Sequence, residues 1–167
     1  MLQIFLSIGA ITLLAIATLS MNRGFEVNDT VMRSSKYAVI ATSLASSVIE
    51  EAAGKAFDEA STKSLLHSTA DLTPSANFGL DGGETKLTRD DFDDYNGFDQ
   101  NDTVDVGGAL NKVVFSTTCR VTYVTLANPD LDAGSTTWFK KISVSITSEV
   151  MTDTVRQEMI FSYFRFE

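Results

Sequence analysis

The chain is poor in the residues that build catalytic and redox centres. It holds one cysteine, Cys119, and one histidine, His67, among 167 residues. A single thiol excludes an intramolecular disulfide. One thiol and one imidazole also leave little material for a transition-metal site or a Cys–His nucleophile. His67 reads as a helix-end histidine, and Cys119, in the middle of a strand pattern, as a small buried hydrophobe. Asp153 and Ser162 have no triad context, so no enzyme activity is expected. Proline is scarce too, and none precedes Pro74, so nothing forces an early helix to stop. Basic residues are the minority, 13 against 22 acidic, for a net charge of −9. That balance argues against nucleic acid or an anionic membrane face as partner.

Charge is missing altogether from Met1 to Asn22, and the first basic residue is Arg23. As a helix, this stretch would run about 33 Å, enough to cross a hydrocarbon core of roughly 30 Å. It lacks the basic start of a secretory signal. Three readings stand open: an uncleaved anchor, a signal peptide with an unusual start, or a mature chain whose basic leader has been removed. The charged residues all lie in the body that follows, which is large enough for one modest core.

Helical periodicity continues beyond Phe25. Ile40, Leu44, Val48, Ala52, Ala56 and Ala60 form one row, and Tyr37, Ala41, Ala45, Ile49, Ala53 and Phe57 form the next. Together they make a broad apolar stripe at helical spacing. The pattern predicts one helix from near residue 2 to near residue 66, with a soft spot at residues 18–25 where polar residues meet Gly24. A region rich in Gly, Asp and Asn follows, over residues 68–111. Three strand patterns come last, "KVVFSTTCRVTYVTL", "KISVSIT" and "VRQEMIFSYFRFE". Short links between consecutive strands favour an antiparallel meander, and the helix stripe is the large apolar surface available to cover one face of it. The expected class is therefore α+β: a long N-terminal helix, apolar first and amphipathic second, packed against a C-terminal antiparallel sheet. The expected division is 1–24 for the membrane or filament-core segment and 25–167 for the globular domain. Within the latter, 25–67 is amphipathic helix, 68–111 acidic loop and 112–167 sheet.

Between residues 81 and 105, nine acidic side chains face only Lys86 and Arg89. Two readings of this segment stand side by side. One is a calcium site using Asp91, Asp93, Asp94 and Asp99, since hard cations take several carboxylate and carbonyl oxygens. The other is a solvated loop in which Asp and Asn cap turns. The spacing is not that of an EF-hand, because Tyr95 and Asn96 stand where a ligand and a glycine are required. The aromatic run Phe161, Tyr163, Phe164 and Phe166 reads as sheet core or subunit interface.

The order of these elements resembles the type IV pilin and pseudopilin superfamily, and the string "DDFDDYNGF", Asp90 to Phe98, is similar to those of MSHA-type minor pilins. The resemblance implies a precursor whose basic leader is cut before Met1, with methylation of the new terminus. It implies a helix that first sits in the inner membrane and then packs, with other copies, in the core of an extracellular helical filament raised by a pilus assembly machinery. Phe5, Leu6, Ile8, Gly9, Ile11 and Leu14 are the expected core-packing residues. No organic cofactor, nucleic acid or small-molecule substrate is implied. The chain departs from the family pattern at Phe5, where pilins usually carry glutamate, and in lacking the helix-kinking proline and the C-terminal disulfide. The alternatives are a pseudopilin of a type II secretion-like system and a monomeric membrane-anchored binding domain.

Overall fold

The computed structural model describes residues 2–107 and 112–164. Helix α1 runs without interruption over Leu2–Ala53. The chain divides into two compact units at Ala38 and Val39, within this helix.

The described residues of the first unit are helix alone. Helical regularity extends through residues 18–25, the expected soft spot. Gly24 stays helical, and the Thr18 hydroxyl donates back to the Leu14 and Ala15 carbonyls at 3.0 and 2.9 Å. Such back-bonding lets a polar side chain sit in an apolar helix without an orphaned donor.

The second unit begins with the last turns of α1, packed against a four-stranded antiparallel sheet. The strands are β1 (Asp99–Asp105), β2 (Lys112–Tyr123), β3 (Phe139–Thr147) and β4 (Val155–Ser162), in that spatial order. This is the expected α+β meander, with one strand more than expected. β1 lies in what reads as loop. Its sequence, DQNDTVD, is polar and mostly exposed, because it is an edge strand with no face in the core. It therefore carries none of the apolar alternation that betrays a strand.

The inner face of the sheet follows the period-two rule. Val113, Phe115, Thr117, Cys119, Val121 and Tyr123 of β2 are buried, with Ile142, Val144 and Ile146 of β3. From α1 the buried residues include Ala41, Ala45 and Ala52. Small side chains on that face allow a helix to approach a sheet closely. The Ser46 hydroxyl donates to Gln157 Oε1 of β4 at 3.1 Å.

The first helix ends at Ala53 rather than near residue 66, and the reason is tertiary. The Gly54 amide is shared between the Glu50 and Glu51 carbonyls, and the Lys55 amide tightens onto Ala52. Ala56 then leaves the helix altogether. Its N–H donates to the Asp90 carbonyl and its carbonyl accepts from Phe92, an isolated parallel bridge between Ala56 and Asp91. A second helix, α2 (Glu59–Lys63), restarts behind a capping box in which Asp58 accepts from the Ala60 amide and Ser61 accepts from the Asp58 amide.

Candidate functional site

Two features carry chemistry: the apolar helix of the first unit and the aspartate string of the second. In the first, the expected packing residues Phe5, Leu6, Ile8, Ile11 and Leu14 are between 53% and 71% exposed. Beyond its chain neighbours and the backbone of its own helix, no heavy atom lies within 4 Å of where a Cβ on Gly9 would be. The helix contains a window long and apolar enough to cross a membrane, with none of that window buried. An exposed apolar surface of this size marks a membrane or protein-interaction surface. Met1, expected to be the processed and methylated residue, lies outside the described residues, as does Phe166.

The string Asp90–Phe98 is not a solvated loop. Phe92 and Tyr95 are fully buried, and Asp91, Asp93 and Asp94 are almost so. The backbone is pinned by the bridge to Ala56 and by a tight 3-10 turn over Asp93–Tyr95. Asp94 and Asp91 cap each other: the Asp94 amide donates to Asp91 Oδ1 at 3.1 Å, and the Asp90 and Asp91 amides donate to Asp94 Oδ2 at 3.1 and 3.4 Å. The Tyr95 hydroxyl donates to Glu51 Oε1 at 2.7 Å, and Asn96 Oδ1 accepts from the Val121 amide. Gly97 sits at φ +77° and passes its N–H to the Cys119 carbonyl. A side chain there would meet no neighbour, so the cost of adding one is conformational. Gly97→Ala is expected to destabilise the fold by about 1–2 kcal/mol, readable as a lowered urea midpoint with an unchanged slope.

The acids expected to share a calcium ion do not converge as a set. Asp93 turns into the core toward Lys140, Asp91 is engaged with the Asp94 amide, and Asp99 is exposed on β1. The carboxylates that do converge among the described residues are those of Glu84, Asp90 and Asp94, with ligand oxygens within 4.8 Å of one another. Only Asp94 belongs to both sets. Burial, the nearby Asp94 carboxylate and its hydrogen bond raise the Glu84 carboxyl. Partial desolvation and Glu84 raise Asp90. Three carboxylates this close relieve their repulsion by taking up a proton or by holding a hard cation.

The densest electrostatic arrangement was not legible as a site. Lys140 is fully buried, and its Nζ donates to the Phe57 carbonyl at 2.8 Å, Asp58 Oδ2 at 2.8 Å and Asp93 Oδ1 at 2.5 Å. The rings of Phe57, Phe78 and Tyr123 enclose it at 4.7–5.5 Å. Asp58 accepts, besides, from the Ala60 and Thr73 amides and the Thr73 hydroxyl. Burial pushes the Asp58 carboxyl up, but Lys140 and these donors outweigh it and hold the carboxyl below its usual range. For Asp93 burial wins over Lys140, and its carboxyl is raised. A signal for Lys140 does exist in the sequence, since it falls in phase with Ile142, Val144 and Ile146. A lysine on the apolar face of a strand must find partners.

Asp91 completes the picture. Burial, Asp93 and Asp94 push its carboxyl up to about 8. The folded chain therefore holds a proton that the unfolded chain releases near pH 3.8. The stability carried by this group is full below that pH and is lost as pH rises toward about 8. Thermal unfolding should accordingly show a midpoint falling between pH 5 and pH 8, and Asp91→Asn, which keeps the acceptor for the Asp94 amide, should flatten that slope. Cys119 is buried in the sheet, which pushes its thiol up to about 12 and leaves it inert at neutral pH, and His67 is exposed.

No family model, curated protein or solved structure matches this chain.

Proposed function

We propose that the protein is a structural subunit of an extracellular type IV pilus-like filament, assembled through its N-terminal helix after residence in the inner membrane. One observation carries the reading. An uncharged helical segment of membrane length, none of its apolar window buried, continues without a break into the helix that packs on the sheet. Such a joint suits a chain whose apolar segment exchanges lipid for copies of itself. At about 25 cal/mol per Å² of apolar surface, burying that segment among neighbours contributes tens of kcal/mol before entropy costs. Close approach is favoured where Gly9 and Ala10 leave the helix narrow.

The test places a photo-crosslinking side chain at Leu14 in living cells. A ladder of dimers and higher multiples of this chain, recovered in sheared surface material, supports the filament. Adducts with lipid alone, confined to membranes, would instead indicate a monomeric anchored domain.

A further inference from the structure

We propose that Lys140 and Asp93 condense to an intramolecular amide, tying β3 to the aspartate string. The inference is independent of the filament reading. It rests on the geometry around one atom. Lys140 Nζ lies 2.5 Å from Asp93 Oδ1 and 2.8 Å from Asp58 Oδ2, with the side chains of Lys140 and Asp58 inaccessible to solvent and that of Asp93 4% exposed. At that distance the carbon of the Asp93 carboxyl is close to contact with the nitrogen. Nucleophile and electrophile are thus held as a near-attack pair by the fold itself, the arrangement in which effective molarities become very large.

The second carboxylate supplies what the reaction needs. Asp58 is fixed as an anion by the Ala60 amide, the Thr73 amide and the Thr73 hydroxyl. It is placed to take a proton from the Lys140 ammonium, freeing the lone pair that attacks Asp93 Cγ. That proton and a second from the attacking nitrogen pass to the departing Asp93 oxygen, which leaves as water. One C–N bond forms, one C–O bond breaks, and one water leaves. No oxidant, reductant or external co-reactant enters the balance.

The surroundings favour the product. One cation among two buried carboxylates leaves an uncompensated negative charge, and charges removed from water are costly even when paired. Condensation removes the ammonium and one carboxylate together, and leaves Asp58 with neutral donors. The rings of Phe57, Phe78 and Tyr123 close over the nitrogen, which keeps out the water that would reverse the step. A covalent tie at this place would join the sheet to the aspartate string, which already bridges to the segment after α1 at Ala56 and Asp91.

The experiment is mass spectrometry of the full chain, purified from membranes in detergent and denatured, followed by tryptic mapping. The expected chain is lighter than its sequence by one water. The expected map contains a branched peptide joining residues 90–112 to residues 121–141, uncut after Lys140 because the amide removes its charge. Lys140→Arg, which keeps the cation and lacks the nucleophile, should show neither change. A wild-type chain of unmodified mass overturns the proposal, whatever the variant does. So does a lost water that maps elsewhere, or a branch that lands on Asp58.

Discussion

Lys140→Met is expected to be the most damaging single substitution in the globular unit, lowering stability by about 3–5 kcal/mol. Methionine keeps the length and much of the apolar volume of the lysine stem, so little of the loss comes from a cavity. What it removes is the partner of Asp58 and Asp93, two carboxylates that are almost wholly buried. Asp58 still accepts from Ala60 and Thr73, but Asp93 is left a buried carboxyl without its partner, whether Lys140 meets it as an ammonium or is joined to it. The cost is therefore that of an uncompensated buried charge. Adding Asp93→Asn to Lys140→Met should recover a substantial part of it, because an amide needs no counter-ion. Thermal unfolding of the full chain in detergent, followed by far-ultraviolet dichroism, reads both variants. A single variant as stable as the wild type would mean that the triad contributes little net stability.

Phe5→Ala is expected to have the largest effect on assembly, weakening a filament by roughly 3–5 kcal/mol per subunit where the ring is fully buried between neighbours. In the isolated subunit the ring is 71% exposed, so the same change should leave the fold of the monomer untouched. The split between unchanged monomer and weakened fibre is the signature of a packing knob. In the proposed filament an uncharged residue at position 5 would leave register to shape, with Phe5, Leu6, Ile8 and Ile11 set against the narrow Gly9–Ala10 stretch. Gln3→Leu is accordingly expected to be mild. Fibre yield and fibre melting of the two variants, measured together, check this. Abolished assembly in Gln3→Leu with intact assembly in Phe5→Ala would assign the register to the Gln3 amide instead.

The parts of the fold set by periodicity were legible from the residues alone. The apolar rows of α1 and the alternation of β2 and β3 each state which face is buried, and the meander follows from the short links between consecutive strands. Elements set by tertiary competition were not. The rows through Ala52, Ala56 and Ala60 read as continuous helix, yet the Ala56 backbone is claimed by Asp90 and Phe92 from the aspartate string. Local spacing does not contain that contest. β1 is invisible for the opposite reason, since an exposed edge strand needs no apolar pattern. In the string itself, the sequence shows many acids but not which turn inward. Burial of Asp91, Asp93 and Asp94 depends on Lys140, roughly fifty residues away along the chain, and on amide donors created by the 3-10 turn. The soft spot near Gly24 shows the limit of propensity arguments. A helix-weakening residue lowers the cost of opening a helix without opening it.

On the proposed function, the exposed apolar helix of the first unit ends in the core of a fibre built from this chain. Electron microscopy of material sheared from the cell surface, with its protein identified by mass spectrometry, tests that most directly. Thin fibres are expected in which this chain is present at stoichiometric amounts and which disappear when its gene is removed. Surface material free of such fibres under all growth conditions, with the chain recovered only from membranes, would contradict it.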